Sequence, residues 1–163
     1  NWPNKIGNVS QGNFPLEGSV AENVAFGISH DLIDYQQVKK VLKLAYLEEW
    51  LSGLENGIHT KVGERGIQLS GGQRQRIAIA RSLYYEPDVL IFDEATSALD
   101  RITEKTIMNS IDDFSGKKTL IMISHRLTTV QKCDQIFIID KGSIIDSGTY
   151  QELLKKNEQF KKM

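Results

Sequence analysis

Two adjacent carboxylates follow an apolar run in the second half of the chain. Val89–Phe92 is that run, and Asp93 and Glu94 come directly after it. The run predicts a buried strand of a parallel sheet, and the carboxyl edge of such a sheet is where open α/β folds bind ligands. One carboxylate there can hold Mg²⁺, and its neighbour can take a proton from an attacking water. The alternative is that both acids cap the next helix or lie solvated in a loop.

A glycine-containing turn, Leu69–Gln73, lies earlier in the chain. Ser70 and Gln73 have the spacing of a capping box, which predicts a helix beginning at Gly71. Gly71 and Gly72 place backbone N–H groups in the first turn with no side chain in front of them. The helix dipole and the unpaired N–H groups favour a bound anion such as phosphate. The alternative is an ordinary glycine loop before a helix.

Two single polar residues occupy comparable positions after predicted strands. Gln11 follows Lys5–Val9, and His125 follows Thr119–Ile123. A histidine at the carboxyl end of a parallel strand can reach a terminal phosphate. A lone histidine in a loop more often makes only a local hydrogen bond, and a lone glutamine carries almost no signal.

The elements that position these residues alternate in the second half of the chain. A helix predicted over Arg101–Phe114 separates the strands at Val89–Phe92 and Thr119–Ile123, and this spacing indicates a parallel α/β sheet. Gln135–Ile139 and Ser143–Ile145 are two more predicted strands, and the first three strands of this half are predicted to be buried. The remaining predicted helices, most of them in the first half, are Val20–Ala25, Tyr35–Ala45, Leu47–Ser52, Gly71–Tyr85 and one beginning after a cap at Thr149.

Composition narrows the classes of function. The chain has 163 residues, of which 20 are basic and 21 acidic, with a formal net charge of −1. Near-neutral charge excludes a nucleic-acid partner held mainly by bulk electrostatics. The single cysteine excludes an internal disulfide and a cysteine-built zinc site. The longest apolar runs have four residues, so we expect a soluble chain without a membrane-spanning helix.

Taken together, the motifs resemble the nucleotide-binding domain of ABC transporters. Their order is Gln11, Leu69–Gln73, Val89–Glu94, Ser97–Asp100 and His125, and it covers almost the whole chain. The resemblance identifies them as the Q-loop glutamine, the signature motif, the Walker B strand, the D-loop and the switch histidine. ATP and Mg²⁺ are the cofactors that it implies.

The resemblance also implies a role for each residue. Glu94 is expected to be the general base, His125 the sensor of the γ-phosphate, and Asp93 the Mg²⁺ ligand through water, with Gln11 linking the metal to the membrane domain. ATP is expected to lie between two domains that pair head to tail. The residues that bind the ATP of the partner domain are then Ser70, Gly71, Gly72, Gln73 and Asp100.

The implied fold is α/β, a partial P-loop NTPase of the RecA-like type. We expect residues 1–13 and 86–163 to form the remaining parallel-sheet core. Residues 14–85 are expected to form an inserted α-helical ABC subdomain that carries the signature motif.

Two further segments resemble exporter-type members of the family. Thr60–Gly66 resembles the X-loop, with Lys61 where an acidic residue is usual. Contacts with the coupling helices of a transmembrane domain are expected from Phe14, Leu16, Glu64 and Arg65. An ordinary charged loop at Thr60–Gly66, and a place for Phe14 and Leu16 in the subdomain core, are the alternatives.

One motif of a complete site is absent from the sequence. No G-x-x-x-x-G-K-[ST] phosphate loop occurs, since the only Gly-Lys pair is Gly116-Lys117, followed by Lys118. We therefore expect the N-terminal part of the core to be missing, and the isolated chain to hydrolyse ATP negligibly. We also expect a missing strand to neighbour the Asp93 strand and leave an apolar edge exposed.

The function expected of the full protein is ATP-driven export or flipping of a substrate, at the cytoplasmic face of a membrane, taken as a bacterial inner membrane. A natural truncated module that only pairs is an alternative. An ABC-type ATPase of DNA maintenance is disfavoured, because only 58 residues, without a sustained heptad, separate Gln11 from Ser70.

Overall fold

The structure is a computed structural model that describes residues 5–10, 16–63, 66–95, 99–115 and 118–161, with the backbone alone at 112–115. It divides into two compact units, residues 1–121 and 122–163. The strands are β1 (Ile6–Val9), β2 (Gly18–Ser19), β3 (Lys61–Val62), β4 (Val89–Asp93), β5 (Thr119–Ile123), β6 (Ile136–Asp140) and β7 (Ser143–Gly148). The helices are α1 (Val20–Val24), α2 (Tyr35–Leu44), α3 (Glu48–Ser52), α4 (Gly71–Leu83), α5 (Arg101–Ser115), α6 (Leu127–Val130), α7 (Tyr150–Lys156) and α8 (Glu158–Lys161).

The predicted parallel sheet is present, in the strand order β1-β4-β5. β1 runs parallel to β4, with Ile6 opposite Val89 and Val9 opposite Phe92. β4 therefore has a neighbour on each side, and the expectation that an absent strand neighbours the Asp93 strand is wrong. Within the described residues, the open edges of this sheet belong to β1 and β5.

Two strands that we predicted to be buried are half-exposed. Ile121 and Ile123 of β5 are 46% and 53% exposed, and Phe137 and Ile139 of β6 are 57% and 68% exposed. β5 lies at an edge of the three-stranded sheet, and among the described residues β6 pairs only with β7, in an antiparallel hairpin. An apolar run alone does not make a buried strand, because burial needs neighbours on both faces.

Two helices of the first unit, α1 and α2, begin where the sequence predicted their caps. Ser19 caps α1 with a capping box that includes Glu22, and the Asp34 carboxylate accepts from the backbone N–H groups of Gln36 and Gln37 at the start of α2. α4 packs against α1, α2 and β1. Its fully buried side chains include Ile77, Ile79 and Leu83, each contributing roughly 1.5–3 kcal/mol by burial.

The contact between β1 and α4 depends on one glycine. A Cβ atom at Gly7 would lie 2.6 Å from the Ser82 carbonyl oxygen and 2.7 Å from Leu90, closer than real Cβ atoms approach other heavy atoms. Glycine at this position therefore lets α4 approach the parallel sheet closely. The helix that begins at Gly71 is thereby held against the sheet that carries Asp93.

The second unit has a small core of its own. Ile136 of β6, Leu153 of α7 and Phe160 of α8 are buried together. Thr149 and Glu152 form the capping box that begins α7, as the sequence predicted. In the part of the chain that the structure describes, no helix is long and apolar enough to span a membrane.

Candidate functional site

The N-terminus of α4 presents two backbone donors. The Ser70 hydroxyl accepts from the Gln73 N–H at 3.2 Å, and the Gln73 side chain accepts from the Ser70 N–H at 2.8 Å, so the predicted capping box is complete. Gly71 and Gly72 occupy the first two helical positions, whose N–H groups have no partner within a helix. Among the described residues, no acceptor outside the helix binds them either.

The charge around this helix end suits an anion. α4 has no acidic residue in its first turn, so no side chain of the helix compensates the positive end of its dipole. Arg74 donates to the Leu69 carbonyl at 2.7 Å, which holds the residue before the cap, and Arg76 donates to the Tyr46 carbonyl at 2.7 Å. Burial lowers the pKa of Arg76, while the nearby charge of Asp100 raises it. The residues present fit the phosphate part of a nucleotide.

The two carboxylates lie at the carboxyl end of the central strand, as predicted. Asp93 is the last residue of β4 and is exposed, and Glu94 follows it, partly buried. Glu94 has a φ of 48°, in the left-handed region that non-glycine residues rarely adopt. The direction of the chain therefore changes sharply at Glu94, directly after Asp93.

The described residues at this edge of the sheet include two carboxylates, those of Asp93 and Glu94. Among the described side chains, no three His, Cys, Asp or Glu residues come together as a metal site. An exposed single carboxylate such as Asp93 fits Mg²⁺ that keeps most of its water and takes its other ligands from a bound phosphate.

Asp100 is held as an anion at the start of α5. One carboxylate oxygen accepts from the N–H groups of Ile102 and Thr103, both at 3.0 Å, and the other accepts from the Thr103 hydroxyl at 2.6 Å. The Thr103 hydroxyl, followed by its N–H group, lowers the pKa of Asp100. Asp100 therefore has a structural role as a helix cap besides the role that the sequence suggested.

The structure describes only some of the remaining predicted residues. His125 lies in the second unit, two residues after β5, and is exposed. Leu16 is 48% exposed, and both its backbone N–H and its carbonyl bond the Asn23 side chain, at 2.8 and 2.9 Å. The predicted site residues that lie outside the described residues are Gln11, Phe14, Glu64, Arg65 and the D-loop residues Ser97 and Ala98.

Gln75 is a residue next to the site that no sequence motif indicated. Its side chain is buried, and its amide donates to the Glu94 backbone carbonyl at 3.4 Å. The available signal was a polar residue at helical spacing from Ala78, Ile79 and Ser82, on the face that the structure buries.

Asn23 and Arg81 form a pair that no sequence motif indicated either. Arg81 of α4 donates to the Asn23 backbone carbonyl at 2.7 Å and to its side-chain oxygen at 3.0 Å. Asn23 is the same buried residue that holds the Leu16 backbone, so α4 is connected through it to the segment at Leu16. No local sequence pattern predicts such a pair, because the two residues are 58 positions apart in the chain.

A cavity of about 440 Å³ lies elsewhere in the first unit. Its lining includes Lys43, Tyr46, Glu48 and Ser110, from α2, α3, α5 and the residues between α2 and α3. None of its lining residues belongs to the predicted site. Lys43 and Glu48 already pair with each other at 3.8 Å, so this cavity offers no unmatched charge from that pair.

Comparisons with known proteins point to one family. The profile of the family described as ABC transporter matches residues 1–97. The chain is 43% identical over 152 residues to the ATP-dependent lipid A-core flippase of Vibrio vulnificus strain CMCP6, an alignment that covers 93% of this chain and 26% of that protein. It is 41% identical over 155 residues to ATP-binding cassette sub-family B member 5 of Mus musculus, covering 95% of this chain and 12% of that protein.

A solved structure matches at the level of the whole fold. The structure of a bacterial Atm1-family ABC exporter with ATP bound superposes with a TM-score of 0.89 and 35% sequence identity, covering 98% of this chain and 27% of that chain. The chain therefore spans about a quarter of the length of the bacterial proteins compared here.

Proposed function

This chain belongs to the ABC transporter family, as an ATP-binding domain of exporter type, and on that premise we propose that it works within a longer protein that couples ATP binding and hydrolysis to export or flipping of a substrate across a membrane. The observation that carries the proposal is the N-terminus of α4. There, two glycine N–H groups that have no acceptor among the described residues stand beside a capping serine, on a helix with no acid in its first turn. That arrangement is suited to a terminal phosphate.

In the proposed mechanism, the signature motif binds ATP. Gly71, Gly72 and the Ser70 hydroxyl bind the γ-phosphate of an ATP that a second ABC ATPase domain holds from the other side, with Gln73 and Asp100 beside them. Binding is strongest when the two domains close head to tail, because closure removes water from around the charges. ATP therefore joins the two domains by serving as a ligand of both.

Hydrolysis is proposed to depend on the edge of β4. The Glu94 carboxylate accepts a proton from the attacking water, and His125 contacts the γ-phosphate. Asp93 and Gln11 hold Mg²⁺, Asp93 through water. Bound Mg²⁺ neutralises charge that develops on the phosphates. General-base help of this kind contributes roughly 10²–10⁴-fold to a rate.

The two half-sites differ in what the 163 residues supply. The half-site of Asp93 and Glu94 requires a phosphate loop, and no such sequence occurs in these residues. The half-site of Gly71 and Gly72 requires no further motif of its own. We propose that the isolated chain hydrolyses ATP negligibly but still binds ATP held by a complete partner domain.

The proposed membrane partner is a transmembrane domain of the same transporter. Leu16 is half-exposed, as a docking residue must be, and we propose that it contacts that domain together with Phe14, Glu64 and Arg65. The chain then works at the cytoplasmic face of the membrane, where ATP is available. The comparisons name exporters of more than one kind, so the transported substrate stays unassigned.

The test compares four forms of the full-length protein: wild type, Glu94→Gln, Gly71→Asp and Gly53→Asp. Gly53 caps the end of α3 with a φ of −82°, so Gly53→Asp is a matched control that adds the same charge without strain. We expect Glu94→Gln to bind ATP and lose at least about 10²-fold in turnover. We expect Gly71→Asp to abolish ATP-dependent pairing, since it sets a carboxylate against phosphate, and Gly53→Asp to behave as wild type.

Three outcomes oppose the proposal in different ways. If two domains that carry Gly71→Asp still pair when ATP is added, α4 does not bind the ATP that the partner domain holds. Pairing that is lost in Gly71→Asp, together with turnover that is absent from the wild type, indicates a module that only pairs. Turnover by the isolated 163-residue chain that vanishes in Glu94→Gln means that another segment holds the phosphates.

A further inference from the structure

The backbone at Glu94 needs support from elsewhere in the structure. A residue with a side chain in the left-handed region pays roughly 1–2 kcal/mol relative to the ordinary conformations. Glu94, with its φ of 48°, therefore stays in this conformation only because its surroundings hold it there. The conformation sets the direction in which the Glu94 side chain leaves the edge of β4.

Gln75 supplies one such support. Its amide group donates to the Glu94 backbone carbonyl at 3.4 Å, from a side chain that is only 8% exposed. The neighbouring positions on the buried face of α4 are Ala78 and Ile79, so an apolar residue at 75 would suit the packing. A buried amide is costly unless it is hydrogen-bonded, so the use of glutamine here indicates that its hydrogen bonds matter.

The position of Gln75 along α4 gives this bond a second consequence. Gln75 lies four residues after Gly71, which is about 6 Å along a helix. The same rigid helix therefore carries the glycine N–H groups at its end and the amide that holds Glu94 one turn later. A change in the position of Glu94 relative to the helix end would have to break or stretch this bond.

We propose that Gln75 is a positioning residue that holds the Glu94 backbone in its left-handed conformation through the Glu94 carbonyl, and so aims the Glu94 carboxylate. This inference rests on the proposed function, in which Glu94 is the general base. Gln75 acts through Glu94 and does not itself touch the substrate. The expected signature of its loss is a lower kcat at an unchanged KM for ATP, since ATP binding does not use the Glu94 carboxylate.

The test uses substitutions that separate the hydrogen bond from packing. Gln75→Met keeps the length of the side chain and removes the donor. Gln75→Asn keeps an amide on a side chain that is one methylene shorter, and it replaces Gln75→Met in the test if the methionine variant does not fold. Gln75→Lys restores an N–H donor of similar reach. Gln37→Met is the matched control, because the Gln37 amide also donates to a backbone carbonyl, that of Tyr84 at 3.0 Å.

Two measurements are made on each variant. The first is the intraresidue NOE between the amide proton and Hα of Glu94 in the 163-residue chain, which is strong when φ is positive. The second is the kcat and the KM for ATP of the full-length protein. We expect Gln75→Met and Gln75→Asn to weaken the NOE and lower kcat by about 10–100-fold, Gln75→Lys to recover most of both, and Gln37→Met to change neither.

The result that overturns the inference is distinct from the one that overturns the proposed function. If Glu94→Gln abolishes turnover while Gln75→Met keeps both the NOE and kcat, Glu94 is the base and Gln75 does not position it. A fall in kcat with an unchanged NOE also overturns the inference, since the effect then does not pass through the Glu94 backbone. If turnover survives Glu94→Gln, the proposed function fails, and the NOE alone still decides whether Gln75 holds this backbone.

Discussion

Replacing Glu94 with glycine and with alanine measures the strain at the carboxyl end of β4. Both substitutions remove the carboxylate, so they differ only in what the backbone costs. In the left-handed conformation, alanine has a conformational free energy roughly 1–2 kcal/mol higher than that of glycine. Glycine loses more chain entropy than alanine on folding, which destabilises the glycine variant by about 0.5–1 kcal/mol. With a φ of 48° at this position, we expect Glu94→Gly to be more stable than Glu94→Ala by about 0.5–1 kcal/mol.

The order of the two variants is the informative quantity. In a helix the order is reversed, and at the exposed position Lys39 of α2 we expect Lys39→Ala to be more stable than Lys39→Gly by roughly 1 kcal/mol. Glu86 has a φ of 49°, so the glycine variant should be favoured there as at Glu94. The six variants of the 163-residue chain are compared by thermal denaturation followed by circular dichroism.

The expected difference at Glu94 is a midpoint shift of about 1–4 °C, because 1 kcal/mol moves the midpoint by about 2–4 °C for a chain of this length. If Glu94→Ala proves more stable than Glu94→Gly while the pairs at Lys39 and Glu86 behave as expected, Glu94 is not held in a strained conformation. The reasoning that assigns its direction to that strain, and with it the role of Gln75, would then be wrong. Both Glu94 variants should lack turnover in the full-length protein, so Glu94→Gly would gain stability over Glu94→Ala without gaining activity.

Three further predictions concern stability and are checked by urea or thermal denaturation. Asn23→Ala should cost about 2–4 kcal/mol, because it leaves partly buried backbone groups of Leu16 without their partner and removes one of the two hydrogen bonds that the partly buried Arg81 guanidinium makes to Asn23, whereas Asn56→Ala on the surface should cost under about 0.5 kcal/mol; equal costs would refute this. Thr60→Val should be neutral or stabilising by up to about 1 kcal/mol, since the Thr60 hydroxyl is buried without a hydrogen-bond partner among the described residues, and a clear loss of stability would mean that the hydroxyl is used. Hydrogen bonds from Lys156 and then Asn157 lower the pKa of Asp146. The stability that Asp146 contributes is therefore present above its unfolded pKa of about 3.9 and is lost as the pH falls through the lowered value. Asp146→Asn should weaken this dependence of stability on acid pH, and an unchanged pH profile would contradict the prediction.

Much of the local structure could be read from the sequence, because local rules act over three or four residues. The capping boxes at Ser19, Ser70 and Thr149 each begin a helix where predicted, since the serine or threonine hydroxyl and the acid or amide three residues later satisfy each other within one turn. The apolar run ending at Asp93 is a strand of a parallel sheet for a similar reason, as its residues and the helix after it leave few other arrangements.

The roles of single residues were accessible only through the order of the motifs. Gly71, Asp93 and His125 each have an ordinary explanation when taken alone, and the ordered set is what resembles one family. The family profile over residues 1–97 and the match to an exporter structure confirm that resemblance. The residue roles themselves stay predictions, and the experiments on Glu94 and Gly71 address them.

Other features depended on contacts between distant parts of the chain. The sequence predicted buried strands at β5 and β6, yet the structure leaves Ile121, Ile123 and Ile139 about half-exposed or more, because burial is decided by which elements lie alongside a strand. The bond from Gln75 to the Glu94 carbonyl joins residues 19 positions apart, and the pair of Asn23 and Arg81 joins residues 58 apart.

The sequence by itself therefore determined the family, the starts of the helices with predicted caps and the carboxylates at the end of β4. Only the tertiary structure decided that Glu94 takes a left-handed conformation with a φ of 48° and that a buried amide on α4 reaches its carbonyl. The physical reason is that a helix cap makes its hydrogen bonds with residues two or three positions away in the chain, whereas a strained backbone persists only where residues distant in sequence are packed around it.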